Sequence, residues 1–296
     1  MKLAHFSDIH VTHFPMSEGL ELKRIAAVAS YTLMGRGRHF AGSDRRIARL
    51  LEDVDAQGVD HALCTGDLSG VTGERELARC AELFGPRLTQ PERYSLIPGN
   101  HDRYVRSAVR AQSFDRRFGA LFAPGSFPVV KALPGDVTLV LLDTARPTSV
   151  IDSSGLVGAP QRQRLEAIVT DPSLRDRFVV VALHYGLLRK TGLRDRRHHG
   201  LRDDLEVMAL LDRDEAFVDL VVHGHMHTAY PVRTRRRQVI NAGSATDLRA
   251  RCGYNVYEID AARFSLRSSR REWSAAQNAY LAAPDSPLNF EVTTRA

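Results

Sequence analysis

The chain has 296 residues, 43% of them apolar, which is enough for one large α/β domain or two small ones with a substantial core. It has no apolar run of membrane-spanning length, no signal-peptide pattern and no CxxC pair among its three Cys, so we expect a cytoplasmic protein without disulfides or a thiolate zinc site. The net charge of +6 suggests acidic partners such as phosphates, nucleic acid or anionic lipid.

Short apolar runs rich in Val, Leu and Ile recur along the chain. They predict buried β-strands, because they are too short to form independent helices. In chain order they are KLAHF (2–6), DHALCT (60–65), RYSLI (93–97), VTLVLLD (137–143), FVVVALH (178–184), VDLVVHG (218–224), QVINAG (238–243) and YNVYEID (254–260).

Amphipathic helical patterns lie between many of these runs. The first begins at Ser43, which the pattern marks as the N-cap, and two more cover 73–84 and 203–211. The last third of the chain is rich in strands, with an alternating pattern over 263–273. We therefore predict one α/β domain whose mixed sheet is closed by C-terminal strands.

Polar residues of the metal-binding types follow five of the predicted strands. In open α/β sheets the carboxyl ends of the strands line the ligand crevice, so five loops would deliver these groups to one place. Imidazole and carboxylate suit Zn, Fe, Mn, Ni or Co, and there are too many such groups for a single ion. A two-metal site would use them all and would clamp the attacking and leaving oxygens of a phosphoryl transfer. The groups are Asp8 and His10, then Asp67, then Asn100, His101 and Asp102, then His184, and finally His225 and His227.

The segments SDIH, TGD, PGNHD, LHYG and HGHMH, in this order, resemble the signature of the calcineurin-like metallophosphoesterases. The motifs span residues 3–260 of a domain that we take to be 1–296, with C-terminal strands and a tail in 261–296. The resemblance implies an α/β fold with four α-β-β-α layers, a sandwich of two mixed sheets flanked by helices.

The resemblance also implies two divalent or trivalent metal ions, with Mn, Fe or Zn expected first and Ni, Co or Mg as alternatives. A bridging hydroxide or water would then attack phosphorus in line. In this assignment Asp67 bridges both ions. The first ion is held by Asp8, His10 and His227, and the second by Asn100, His184 and His225.

His101 and Asp102 are assigned to catalysis by the same resemblance. His101 would face the substrate, where it would stabilise phosphoryl charge or protonate the leaving oxygen. Asp102 would hold the tautomer of His101 through a hydrogen bond.

Two further stretches bear on the substrate. The basic loop 187–204 follows His184 and would grip an anionic substrate or, alternatively, be a solvated charged loop. The segment 20–40 is apolar and then basic, which fits a helix over the active-site mouth, a peripheral membrane contact or a core-packed helix. Within the basic loop, the predicted substrate-binding residues are Arg194, Arg197, His198 and His199.

Three functions remain open from the sequence. The first is hydrolysis of a phosphodiester, for which bacterial cyclic-nucleotide phosphodiesterases are the most similar group. The second is a pyrophosphatase acting on a nucleotide-linked lipid sugar of the UDP-diacylglucosamine type, at the inner membrane face. The third is a non-catalytic scaffold with the same fold. The expected partner is a small-molecule phosphate ester, and we expect no stable nucleic-acid complex because the chain has no capping domain or coiled-coil insertion. The sequence does not indicate an oligomeric state.

Overall fold

A computed structural model describes residues 1–12, 21–33, 37–122 and 127–295. Its strands are β1 (Lys2–Phe6), β2 (His61–Cys64), β3 (Tyr94–Leu96), β4 (Val129–Leu133), β5 (Val137–Leu141), β6 (Phe178–Ala182), β7 (Leu220–His223), β8 (Tyr230–Arg233), β9 (Gln238–Asn241), β10 (Gly253–Asp260), β11 (Ser265–Ser274), β12 (Ala279–Ala282) and β13 (Phe290–Thr293). Its α-helices are α1 (Leu22–Leu33), α2 (Gly37–Phe40), α3 (Ser43–Ala56), α4 (Glu74–Phe84), α5 (Arg106–Arg110), α6 (Asp115–Phe118), α7 (Ala159–Val169) and α8 (Asp204–Leu211).

The described strands form two mixed sheets. One has 7 strands in the order β12-β11-β10-β1-β2-β3, with β13 paired to β11. The other has 6 strands in the order β4-β5-β6-β7-β9-β8. The run β1-β2-β3 is parallel, and so is the run β5-β6-β7-β9, whereas the outer pairs are antiparallel.

The two faces of the second sheet enter different cores, because side chains alternate along a strand. Leu139, Val180 and Val222 join the core that links both sheets and reaches α3 and α4. The neighbouring Val140 and Val181 pack instead against α7 and α8. The layers are therefore helix, sheet, sheet and helix, which confirms the predicted four-layer sandwich.

The predicted strands all form, but several local expectations need correction. Ser43 is the first residue of α3 rather than its N-cap, because the preceding Gly42 takes the cap position with a left-handed φ of 72°. The strands β4, β8, β12 and β13 were not predicted. β8 contains Pro231, which weakens the strand signal, and pairs only at a sheet edge.

The segment 20–40 forms α1 and α2, with residues 20 and 34–36 outside the described part of the chain. No helix within the described ranges combines the length and apolar character needed to cross a bilayer. Phe40 at the end of α2 is buried and its ring centroid lies 4.9 Å from that of His10. This segment therefore packs beside the predicted metal ligands.

The topology brings the predicted site together. The loops after β1, β2 and β3 leave the carboxyl edge of one sheet, and the loops after β6 and β7 leave the carboxyl edge of the other. Each of the five polar motifs lies on one of these loops, so both sheets contribute to a single crevice.

Candidate metal centre

Asp8, His10 and His227 converge on one side of the Asp67 carboxylate. The Nε2 atoms of His10 and His227 are 3.2 Å apart. Asp8 Oδ1 lies 3.5 Å from His227 Nε2, and Asp67 Oδ2 lies 3.8 Å from His10 Nε2. The four ligand atoms all lie within 4.8 Å of one another, which is the spacing of donors around one ion.

Asn100, His184 and His225 converge on the other side of Asp67. Asn100 Oδ1 lies 3.1 Å from His184 Nε2 and 2.9 Å from His225 Nδ1. Asp67 Oδ2 lies 3.5 Å from His184 Nε2, so the same oxygen faces both groups of donors. The structure thus brings all seven predicted ligands together, with Asp67 in the position of a bridging ligand.

Each of the four histidines uses one ring nitrogen to hold its orientation. His184 Nδ1 donates to the Thr65 carbonyl at 2.7 Å, and His10 Nδ1 to the Ser69 carbonyl at 3.2 Å. The other two rings follow the same rule: His225 Nε2 donates to the His199 carbonyl at 3.0 Å and His227 Nδ1 to Asp247 at 2.8 Å. The opposite nitrogen of every ring therefore points toward the centre, as in metal-ligating histidines.

The backbone at this site is strained. Five of the seven predicted ligands have a left-handed φ, a region that residues other than Gly rarely adopt. Such residues persist only where the surrounding structure holds them, and they cluster at functional sites. They are Asp8 (φ 53°), His10 (40°), Asp67 (57°), His225 (70°) and His227 (54°).

Two glycines permit the close packing of the ligand loops. A Cβ on Gly99 would lie 2.1 Å from Asp67 Oδ1, and a Cβ on Gly224 would lie 1.9 Å from Ser7 Oγ and 2.6 Å from Asp8 Oδ2. Any side chain at these positions would displace a carboxylate. Gly99 and Gly224 are therefore required by the lack of space beside their backbone.

Burial and neighbouring charges shift the pKa values of the groups at the centre. Burial raises the pKa of Asp8, while burial keeps the pKa values of His10 and His225 well below the usual range, so both rings are neutral. Although burial alone lowers the pKa of His184, the carboxylate of Asp67 raises it to about 9. The buried carboxylate of Asp67 thus stabilises positive charge at the centre.

These residues fit two metal ions. Asp8 Oδ1 is buried and has no hydrogen-bond partner among the described residues, which is costly for a carboxylate oxygen unless a cation lies against it. The donor set of imidazole nitrogens with carboxylate and amide oxygens suits Zn, Fe, Mn, Ni or Co. The outer hydrogen bonds already fix the imidazole tautomers that such ions need.

His101 lies beside the ligands, with its ring centroid 5.0 Å from that of His10. Its backbone N–H donates to Asp67 Oδ1 at 2.8 Å, and its Nδ1 donates to the Gly70 carbonyl at 2.5 Å. The Gly70 carbonyl, rather than Asp102, therefore sets the tautomer of the ring.

Asp102 is buried and accepts hydrogen bonds from the backbone N–H groups of Leu68, Ser69 and Gly99 at 2.9, 3.0 and 3.0 Å. The prediction that Asp102 orients the His101 ring is wrong. The carboxylate is used instead to join the loop that carries Asp67 to the loop that carries Asn100.

A cleft of about 450 Å³ opens over the centre. Of the predicted substrate-binding residues, only His199 lines it, where its ring lies 4.4 Å from that of His225. Arg194 is not at the cleft; it forms a two-point ion pair with the buried Asp204 at the start of α8, which corrects the expectation for that residue. Arg197 and His198 are exposed on the same loop and do not line the cleft.

Several residues of the site escaped the sequence analysis. Asp247, the partner of His227, lies in the segment NAGSATD, where a carboxylate close after the last His motif was an available signal. Lys23 and Tyr104 line the cleft, and Tyr104 stacks on His101 at 5.2 Å between ring centroids. The carbonyl groups of Thr65, Ser69 and Gly70 carry no side-chain signature, so no sequence pattern could reveal them.

The fold of this chain is similar to that of two solved phosphatases. A dimetal phosphatase from Danio rerio has a similar structure, with a TM-score of 0.63 at 13% identity over 95% of this chain and 98% of the phosphatase. A purple acid phosphatase from yellow lupin (Lupinus luteus) seeds gives a TM-score of 0.61 at 13% identity, over 99% of this chain and 53% of that protein. At this identity the two similarities show a shared fold.

Sequence comparison identifies the family. No curated protein matches the chain. The sequence profile described as calcineurin-like phosphoesterase matches residues 1–229, and its fold implies a dinuclear divalent metal centre. The match extends over most of the chain and includes all of the ligand motifs. The chain therefore belongs to the calcineurin-like phosphoesterase family.

Proposed function

We propose that this protein hydrolyses a phosphodiester bond in a small-molecule substrate with the help of two metal ions. The observation that carries the proposal is the convergence of six residues with N or O donors around Asp67, with His101 beside them at the floor of an open cleft. When bound, two cations would neutralise phosphoryl charge and lower the pKa of water for attack on phosphorus.

The residues have distinct roles in this proposal. Asp8, His10 and His227 would hold one ion and Asn100, His184 and His225 would hold the other, with Asp67 contributing to both. His101 contacts the substrate. Because its Nδ1 donates to Gly70, proton transfer to the leaving oxygen would run through Nε2. Asp102 braces the ligand loops and does not touch the reacting atoms.

The non-catalytic scaffold is disfavoured by the energetics of the site. Backbone conformations of the kind seen at Asp8, His10 and Asp67 cost about 1–3 kcal/mol each. The buried Asp8 oxygen adds a further desolvation penalty. A scaffold that bound its partners only through the outer surface would gain nothing from these strained and buried groups. Bound metal ions would offset their free-energy cost.

A pyrophosphatase acting on a nucleotide-linked lipid sugar of the UDP-diacylglucosamine type is the second candidate. Large apolar side chains are exposed on elements that border the cleft. Leu22 and Ile25, which flank Lys23 on α1, are 73% and 47% exposed, and Ile151 is 87% exposed next to Val150, which lines the cleft. Acyl chains or a bilayer surface would cover such a rim. Liposome co-sedimentation tests this candidate, and an absence of binding even at low salt would contradict it.

The metal-stripped protein provides the direct test of the phosphodiesterase. It is assayed with bis(p-nitrophenyl) phosphate and p-nitrophenyl phosphate while Mn, Zn, Fe, Ni, Co or Mg is added back singly. We expect metal-dependent cleavage with a preference for the diester. Two bound ions per chain without cleavage of either compound would contradict the proposal and favour the scaffold.

Two variants separate chemistry from metal binding. His101→Ala should retain both ions and lower turnover by about 10²–10⁴-fold, the usual contribution of a general acid. Asp67→Asn should lose metal, because a neutral amide replaces the carboxylate shared by both ions. Metal content and turnover are measured for both variants, and equal metal loss would contradict the role of His101.

A further inference from the structure

Lys23 is a cation on the wall of the cleft with few protein contacts. Its Nζ donates one hydrogen bond to Thr148 Oγ1 at 2.8 Å and lies 4.3 Å from the centroid of the Tyr104 ring. No described carboxylate forms an ion pair with it. An ammonium group has three N–H donors, so the protein satisfies only part of its hydrogen-bonding capacity.

Two other cations near the cleft are already neutralised. Arg249 contacts both oxygens of Asp247, at 3.1 and 2.6 Å, and Arg202 pairs with Asp152 at 2.6 Å. Lys23 therefore differs from both arginines, because no carboxylate of the described residues lies within ion-pair distance of it.

The position of Lys23 is fixed relative to the metal centre. The next residue, Arg24, donates to the carbonyls of Val71 and Thr72 at 3.2 and 2.8 Å, in the loop that follows Asp67. Tyr104, which lies under the Lys23 ammonium, stacks on His101. One aromatic ring thus separates Lys23 from the residue that we place at the leaving oxygen.

We infer that Lys23 binds a second anionic group, a phosphate or a carboxylate, on the substrate whose ester bond lies at the metal centre. The inference rests on the proposed phosphodiesterase and narrows its substrate class to esters that carry a further anion. Lys23 acts as a specificity residue and takes no part in bond breaking. Its partly buried setting, which lowers the pKa of the amine to about 8 despite the charge of Asp152, favours a ligand that restores the lost solvation.

Two chromogenic diesters test the inference with the same scissile bond. Thymidine 5′-(p-nitrophenyl phosphate) has one anionic group, and its 3′-phosphorylated form has a second. We expect the native enzyme to show a kcat/KM about tenfold higher for the 3′-phosphorylated compound, as one charge-assisted hydrogen bond would give. Lys23→Gln, which keeps a donor for Thr148 without the charge, should abolish the preference. Lys23→Arg should retain most of it.

Lys190→Ala is the matched control, because Lys190 is exposed on the loop 187–204 and does not line the cleft. Its kinetics should equal those of the native enzyme with both compounds. A preference that survives in Lys23→Gln, or no preference in the native enzyme, would overturn the inference while leaving the phosphodiesterase intact. Failure to cleave either compound with any metal would instead count against the phosphodiesterase itself.

Discussion

The sharpest test of this site is Asp102→Asn, because it separates two roles for one carboxylate. If Asp102 oriented His101, the variant would lose turnover and keep its stability. The structure instead has Asp102 Oδ1 accepting from Leu68 and Ser69, while Oδ2 accepts from Gly99. An amide retains one acceptor oxygen and turns an NH₂ group toward the remaining backbone N–H groups.

The magnitude follows from these contacts. One buried N–H left without an acceptor costs about 1–3 kcal/mol, so Asp102→Asn should lower the free energy of unfolding by about 2 kcal/mol. For a chain of 296 residues that corresponds to a fall in Tm of about 3 °C. Metal affinity should fall as well, because the same bonds join the loops that carry Asp67 and Asn100. Asp102→Ala, which removes both oxygens, should cost more than Asp102→Asn.

Thermal unfolding and metal analysis of Asp102→Asn, side by side with His101→Ala, provide the assay. We expect lower Tm and lower metal content only in the Asp102 variant. A variant with native Tm and full metal content, but with turnover reduced as far as in His101→Ala, would refute the bracing role and restore the histidine-orienting role.

Three further predictions concern the surroundings of the centre. Asp247→Asn should weaken metal binding by about 10–100-fold, measured by chelator competition, because it removes the charged acceptor of the His227 ring; native affinity would contradict this. Gly224→Ala should displace Asp8 and reduce metal content, since its Cβ would lie 2.6 Å from Asp8 Oδ2, whereas Gly192→Ala, whose Cβ meets nothing within 4 Å, should retain its metal. The preference for the 3′-phosphorylated thymidine ester should be present below pH 8 and decline above it. Lys23, which is faced by Asp152 and Tyr104, has a pKa of about 8 and loses its charge as pH rises. A preference that stays constant from pH 6.5 to 9.5 would contradict this.

The sequence was most informative where a residue type can serve only a few purposes. Asp8, Asp67 and His184 follow short apolar runs, and the carboxyl ends of buried parallel strands face one crevice whatever the details of the loops. The layers of the fold and the convergence of the ligands could therefore be predicted. The strands β12 and β13 could not, because their weak apolar patterns acquire meaning only from pairing with β11.

The substrate wall was less predictable, because charge in a sequence does not show its partner. Arg194 lies in a basic loop beside a ligand, yet the buried Asp204 must be paired and takes its guanidinium. Lys23 lies in an apolar segment that is distant in the chain from Asp67. It nevertheless lines the cleft, where it contacts Thr148 and Tyr104. Which cation remains available to an anionic ligand thus depends on which cations the folded chain pairs with carboxylates.

The same reasoning explains why Asp102 was assigned to the wrong partner. A carboxylate directly after a catalytic histidine is a natural candidate to orient the ring, but a backbone carbonyl can accept the ring N–H equally well and leaves no trace in the sequence. Here Gly70 takes that role, and three backbone N–H groups that need an acceptor take the carboxylate. Because each buried N–H without a partner costs about 1–3 kcal/mol, the three backbone hydrogen bonds to Asp102 outweigh a single bond from His101. His101 is consequently oriented by the loop that also carries Asp67, so we expect a change in that loop to alter metal binding and turnover together.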